Sequence, residues 1–515
     1  MRGNVAERNA VIKDHRKVSL RFALAYPSPY SVGMSNLGIR LIYEMVNNNE
    51  SALCERFFFE GYRTKPTSIE SGLGMEKFDI IGFSLQHEMD YARMLDMLNS
   101  SGIPMRKEMR RGPSVIAGGP APSSNPVPLE PFVDYFIVGD AEPVLMPFLD
   151  AFAGGEAREM AGSVAGIYRA GVPSSRSNVR NLDSAYHSLR QVHPVAGEGF
   201  SSTFLLEISR GCSRGCRFCM ECFTYGPKRE RSFGRISEIL DEGLKLTETR
   251  SVTCISSAFF DHPSLKEVLS LMKERRLRFS LPSLRISDLD ESIPALLAAG
   301  GQKSITIAPE TPSPRLRKVI NKQFEEGSLS VLLRMCREAG IRQLKMYFML
   351  GIPGETEEDL DGLGPLISEA LSAGFSPQSI HISVNPMVPK SNTPFQWVPM
   401  ISAPQYSRML ASFKRICSRF GVRRVESMDY RWGNIQAFLS TGGAEASLAL
   451  ERLAEDIASG GSGDLGSWRR ISRLLGRKVD SIYIPKPVDS TLPWEIIKGS
   501  VPKSILLHEY ERALE

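Results

Sequence analysis

Short apolar runs alternate with stretches of helical periodicity over residues 1–160. The runs at 19–26, 78–85, 114–117 and 135–138 read as strands, with 56–59 a further candidate. Between them, 36–46 and 89–99 carry apolar residues at helical spacing. This alternation predicts an α/β fold with a doubly wound parallel sheet covered on both faces. The strands run into loops of small or polar residues, among them Gln86-His-Glu88, Gly118-Gly-Pro120 and Gly139-Asp-Ala-Glu142. In such sheets ligands lie at the carboxyl ends of the strands, and small residues there let a large flat ligand approach the backbone.

The pattern then changes twice. Residues 161–199 are polar, follow neither period and read as a linker. Alternation restarts in 200–400, with strands expected at 203–208, 252–256, 278–281, 303–308, 343–350 and 379–384. Helical patterns fall at 236–246, 265–274, 329–339 and 357–373. Six strand–helix repeats predict a partial (β/α)6 barrel with its site at the strand carboxyl ends. The last stretch, 401–515, loses this rhythm and reads as a mainly helical C-terminal region, with helices at 405–420, 444–458 and 467–475.

Bulk properties narrow the classes. Of 515 residues, 42% are hydrophobic and 23% charged, the balance of an ordinary globular protein. A formal charge of +5 is too mild for a nucleic-acid footprint, although the basic run 228–231 stands out. No apolar run opens the chain and none is long enough to span a membrane, so neither a signal peptide nor a membrane span is expected. Eight cysteines, four of them bunched, fit a reducing cytoplasm better than a disulfide framework. Cys54, Cys254, Cys336 and Cys417 sit in apolar surroundings and read as buried small hydrophobes.

The bunched cysteines carry the chemistry. Cys212, Cys216 and Cys219 are spaced C-x3-C-x2-C directly after the first barrel strand, with Phe218 before the last of them. Three thiolates this close can hold three irons of a four-iron cube and leave the fourth iron open. A structural zinc site is the alternative, with Cys222 as fourth thiolate. Structural zinc more often uses two separated C-x2-C pairs. Cys222 itself stays open between a spare thiol, a residue behind the site and a catalytic group.

This motif resembles that of the radical S-adenosylmethionine (radical SAM) superfamily. The chain as a whole looks like a branch of iron–sulfur oxidoreductases in which an N-terminal cobalamin-binding-like domain precedes the barrel. Further matching stretches include Gly33-Met-Ser-Asn-Leu-Gly38, Ile116-Ala-Gly-Gly-Pro120, Glu207-Ile-Ser-Arg-Gly-Cys212, Leu316-Arg-Lys-Val-Ile-Asn-Lys322 and Gly351-Ile-Pro-Gly-Glu355. The resemblance implies that Cys212, Cys216 and Cys219 ligate a [4Fe-4S] cluster. It also implies that S-adenosylmethionine is cleaved reductively there to a 5′-deoxyadenosyl radical, with Phe218 beside its adenine. Family members hold the methionine amino group with glycines and a glutamate after the second strand. This chain has Ser256 and Ser257 there, which would have to substitute. Glu310 is the candidate for the ribose hydroxyls, against an ion pair to Arg315 or Arg317. Gly351 and Gly354 belong to the stretch that passes the adenine, against a simple turn.

Cobalamin is the third cofactor the resemblance implies. Many cobalamin modules carry an Asp-x-His-x-x-Gly loop; none occurs here, and His87 has the wrong spacing. The activity implied is methylation of an unactivated carbon by a cobalamin-dependent methyltransferase. Its partners would be a reductant such as ferredoxin or flavodoxin and a substrate that is a protein side chain, a lipid or a small metabolite. The alternatives are methylthio transfer, which usually needs three further N-terminal cysteines where only Cys54 occurs, and a non-catalytic cluster- or cobalamin-binding protein.

Overall fold

The computed structural model describes residues 6–197, 199–286 and 290–515. The first five residues of the N-terminus, Glu198 in the expected linker and 287–289 in the expected barrel lie outside the described residues.

The N-terminal sheet contains β1 (Leu20–Tyr26), β2 (Ala52–Phe58), β3 (Ile80–Ser84), β4 (Ser114–Gly118), β5 (Tyr135–Ile137) and β6 (Ile167–Tyr168). Their order is β2-β1-β3-β4-β5-β6, parallel except for the β5–β6 pair. The order reverses between β1 and β3, so a crevice opens at the carboxyl ends of those two strands. Residues of β2 and β3 are buried throughout, as expected of parallel strands covered on both faces. Helices α1 (Leu37–Asn47) and α3 (Leu145–Ala153) pack on one face, and α2 (Asp90–Ser100) on the other.

Among the described residues, seven parallel strands make the second unit. They are β7 (Phe204–Glu207), β8 (Ser251–Ile255), β9 (Arg278–Ser280), β10 (Ser304–Glu310), β11 (Gln343–Leu350), β12 (Ile380–Pro386) and β13 (Arg424–Glu426). The first three and the last four form two sheets, and a parallel bridge from Leu284 to Ile307 joins them. Along β10, β11 and β12 burial alternates strictly. Ile305, Met346 and Ile382 face the helical layer of α4 (Phe233–Thr247), α5 (Leu265–Glu274), α6 (Ser292–Ala299), α7 (Ser328–Glu338) and α8 (Leu363–Ser372), while Thr306, Lys345 and His381 face the lumen. The sequence supplies six of these strands; β13 is the seventh, hidden in the stretch read as helical.

One reading of the chain's organisation differs from the structure. Residues 161–199 are no bare linker, because β6 lies within them and extends the N-terminal sheet. Their polar composition concealed this, since the buried polar groups are bonded: Gln191 Nε2 donates to the Leu205 carbonyl at 2.7 Å. The C-terminal region does not form a core of its own. Helix α9 (Ala403–Arg419) packs on the barrel, whereas α10 (Tyr430–Thr441), α11 (Ala444–Ala458) and α12 (Leu465–Leu475) share one core with the N-terminal sheet. Helix α13 (Lys503–Leu514) returns to the cysteine loop. No helix among the described residues is long and apolar enough to cross a membrane.

Candidate functional site

The cysteine loop leaves the carboxyl end of β7 through Ser209–Arg210, which pairs antiparallel with Arg229–Glu230. Gly211 turns the chain at φ +75°, and a Cβ there would stand 2.5 Å from the Tyr225 carbonyl oxygen, so glycine is required. Arg217, buried between Cys216 and Phe218, pins the loop. Its guanidinium donates to the carbonyls of Lys318 and Val319 at 3.0 and 2.9 Å and pairs with Glu509 of α13 at 3.0 Å. Asn321 Nδ2 donates to the Gly215 carbonyl at 3.0 Å. The loop is thus fixed before any cofactor binds.

Cys212, Cys216, Cys219 and Cys222 are unpaired and half-buried. Burial pushes the Cys219 thiol up to about 12, and the neighbouring Cys216 and Cys212 thiols add to the rise. Burial likewise raises Cys216, against the opposing effect of nearby Lys322. Such thiols ionise when a metal supplies the missing positive charge. Among the described residues no group of three or more His, Cys, Asp or Glu side chains converges on a single-ion position. A four-iron cube asks for something else, three thiolates spread around separate corners, and three mutually sensed thiols on one pinned loop suit it. Cys222 packs against the cluster of Phe223, Trp397, Leu492, Trp494 and Leu506, while the Gly215 backbone and the Cys212 thiol also act on it from the loop.

The other expected site residues divide into groups. Phe218 and Ile352 of the Gly351–Glu355 stretch pack into one apolar cluster with Leu316 and Phe395. Gly351 and Gly354 have φ of +94° and +74°, and the turn between them is closed by Glu355, whose carboxylate accepts from the Gly351 and Ile352 amides at 2.5 and 3.2 Å. Glu310 pairs with neither Arg315 nor Arg317; it accepts from Lys322 at 2.7 Å. Arg315 instead pairs with Asp359, and Arg317 stacks over Phe324. Ser256 bonds Ser209 at 2.6 Å, and Ser257 donates to Glu221 at 2.6 Å.

Ser256 and Ser257 also line a cavity of about 480 Å³ between the two units. Its N-terminal wall is apolar and small, with Leu24, Gly82, Gly118, Gly119 and Ile137; its barrel wall is polar, with Glu207, Arg210, Glu221 and Tyr225. The cavity opens at the carboxyl ends of β1 and β3, where the strand order reverses. His87 is not among its lining residues; it is half-exposed and lies 3.5 Å from Asp90. Glu310, Gly351 and Gly354 lie elsewhere around the barrel mouth.

One wall group joins the units. Arg210 meets Asp140 at 2.8 Å and Glu142 at 2.7 Å, both on the loop after β5, and Glu207 of β7 at 2.8 Å. Burial works against the Asp140 charge, yet Arg210 and Arg229 outweigh it and hold the carboxyl below its usual range. The basic run is absorbed in the same way: Lys228 pairs with Glu230, Arg229 with Asp140 and Arg231 with Glu207. Arg210, Arg217, Glu221 and Lys322 have no individual signal in the sequence; the first three stand in or beside the cysteine motif, and Lys322 ends the matching stretch that begins at Leu316.

Residues 206–363 match the radical SAM superfamily, and 38–173 match the N-terminal regions of radical SAM proteins. The chain is a radical SAM protein. Its radical SAM domain implies a [4Fe-4S] cluster and S-adenosylmethionine. An uncharacterized protein of Methanocaldococcus jannaschii is 29% identical to this radical SAM protein over 74% of this chain and 80% of its own. The cytidylyl-2-hydroxyethylphosphonate methyltransferase of Streptomyces wedmorensis is 27% identical over 36% of this chain, a match that spans only 35% of that enzyme. The radical SAM methyltransferase TsrM of Kitasatospora setae, solved with cobalamin and a [4Fe-4S] cluster, superposes with a TM-score of 0.55 over 86% of this chain and 100% of that one. At 13% identity that likeness is one of fold.

Proposed function

We propose that this radical SAM enzyme is a cobalamin-dependent C-methyltransferase acting on an unactivated carbon. The observation that carries the reading is the cavity between the strand ends of the N-terminal sheet and the wall beside the cysteine loop. Glycines at 82, 118, 119 and 139 line it, which would let a flat macrocycle approach the backbone beside the cysteine loop. The match to a phosphonate methyltransferase and the fold shared with TsrM support the same reading.

When bound, the cluster and S-adenosylmethionine supply a hydrogen-abstracting 5′-deoxyadenosyl radical, and the corrinoid supplies a methyl group. The chain's own residues do the rest. Cys212, Cys216 and Cys219 each hold one iron and leave the fourth open. Phe218 and Ile352 give adenine an apolar bed. Glu310 keeps one carboxylate oxygen on Lys322, so the other is left to accept from ribose hydroxyls. Ser256 and Ser257, which stand where the family has glycines and a glutamate, orient the methionine end. The ion pairs around Arg210 tie the N-terminal wall of the cavity to the barrel wall.

The test is anaerobic reconstitution with iron, sulfide and dithionite. The expected result is cluster absorbance, 5′-deoxyadenosine from S-adenosylmethionine, and a bound corrinoid after supply of hydroxocobalamin. Deoxyadenosine without any corrinoid uptake would reject the methyltransferase and keep the radical SAM assignment. Methylthio transfer is less well supported, because Cys54 lies buried inside β2 and no thiols stand beside it for a second cluster among the described residues.

A further inference from the structure

The basic run that stands out in the sequence is neutralised inside the fold, but a second one is not. Between 464 and 489 six lysines and arginines stand against three aspartates. Helix α12 turns Trp468 and Ile471 into the core shared with the N-terminal sheet. Its outer face carries Arg469, Arg470, Arg473 and Leu474, and Arg477 and Lys478 follow in the next turn. Arg470 is tied to Asp456 at 2.7 Å. Among the described residues, Arg469, Arg473, Arg477 and Lys478 form no ion pair, and all four are exposed.

Bulky apolar side chains are interleaved with these cations. Leu474 is 74% exposed and Ile484 63%, with Tyr483 and Val488 also at the surface. A folded chain rarely leaves such a set in water without a use for it. A cleft of about 430 Å³ between α10 and α12 shares Arg469 and Tyr483 with this surface; Ile435, Phe438, Leu475 and Ile482 are among its apolar lining, and Arg431, Asn434, Ser472 and Asp480 among its polar lining.

We infer that this surface docks on an anionic phospholipid membrane. Unpaired cations alone fit any polyanion, including nucleic acid. Exposed Leu474 and Ile484 decide between them, because leucine and isoleucine gain nothing from a phosphodiester backbone and do gain from the acyl boundary of a bilayer. Arginine and lysine stems lie along apolar surface while their heads reach the phosphates, which is the pattern of helices that lie in a membrane interface. The cleft gives an acyl chain an apolar place beside the same cations. This surface belongs to the helices that cover the N-terminal sheet and contains none of the cavity-lining residues, so the inference stands apart from the methyl-transfer reading.

The test is co-sedimentation of the full chain with vesicles of phosphatidylcholine alone or of phosphatidylcholine with phosphatidylglycerol, at about 0.15 M salt. Binding is expected only to the anionic vesicles and is expected to fall away near ~1 M salt. Arg469→Glu/Arg473→Glu/Arg477→Glu should weaken it by about tenfold or more, and Leu474→Ser/Ile484→Ser by about tenfold. All five positions are exposed, and unchanged thermal melting of both variants checks that the fold persists. No binding to anionic vesicles overturns the inference, as does binding that neither variant diminishes. Tighter binding to RNA than to vesicles, unaffected by Leu474→Ser/Ile484→Ser, would identify a nucleic-acid surface instead and equally overturn it.

Discussion

Arg217 and Glu509 close a 3.0 Å ion pair between the cysteine loop and the last helix, across 292 positions of sequence. Both are largely shielded, and the same guanidinium satisfies two carbonyls at the end of the short helix Pro314–Val319. Removing it leaves both carbonyls without this donor, empties a buried position and leaves Glu509 with Arg512 alone. Arg217→Ala is expected to cost about 3 kcal/mol and to lower cluster content after reconstitution. Glu509→Gln keeps a hydrogen-bond acceptor and is expected to cost only about 1 kcal/mol. Iron and sulfide per chain, read beside the denaturation midpoint, check both; equal cluster content in wild type and Arg217→Ala would show that the loop holds itself.

The four bunched cysteines are expected to part company under substitution. Cys216→Ala should abolish the cluster absorbance and deoxyadenosine together, since two remaining thiolates cannot anchor the cube. Cys222→Ala should retain both and lose only about 1 kcal/mol of packing against the Trp397–Trp494 cluster. Loss of the absorbance in Cys222→Ala would return it to the ligand set.

Strand periodicity made most of the fold legible in advance. The parallel strands stay apolar because both of their faces are covered, and the thiol spacing is set by the cluster, so both leave a local signature. What stayed hidden depends on partners far away in sequence. Strand β13 is three residues long, Arg-Val-Glu, and holds its place through pairing with β12 and the packing of Val425 on the barrel core. Arg210 looks like a surface cation until Asp140, Glu142 and Glu207 are found around it. Glu310 has Arg315 and Arg317 as sequence neighbours, but the short helix carries both away and brings Lys322 back to it. The C-terminal helices are amphipathic in any setting; their pattern does not say whose core they complete.

That arrangement around Arg210 makes a separate prediction. In Arg210→Ala, Asp140 keeps Arg229 and Glu207 keeps Arg231, whereas Glu142 is left in the cavity wall without a cation. A loss of about 3 to 5 kcal/mol is expected. Adding Glu142→Gln should recover part of it, with a coupling of about 1 to 3 kcal/mol in the double-mutant cycle. Urea denaturation of the four proteins measures it, and strictly additive losses would mean that Arg210 does not hold the two units together through Glu142.

Glu355 gives the pH dependence. Burial pushes its carboxyl up to about 7, although the Gly351 and Ile352 amides favour the charged form. One carboxylate oxygen accepts from those amides and the other is buried without a partner, where a proton would sit. With the folded value above the unfolded one of 4.5, the contribution to stability is fully present below pH 4.5 and is lost as pH rises towards 7. The ceiling on that loss is about 3 kcal/mol. Glu355→Gln keeps an oxygen for both amides and cannot ionise, so it should melt higher than wild type at pH 8 and nearly with it at pH 5. Melting curves of the two proteins over this range decide the matter: a constant offset would mean that Glu355 stays charged in the folded turn, and that the Gly351–Glu355 stretch is built on a carboxylate rather than on its acid.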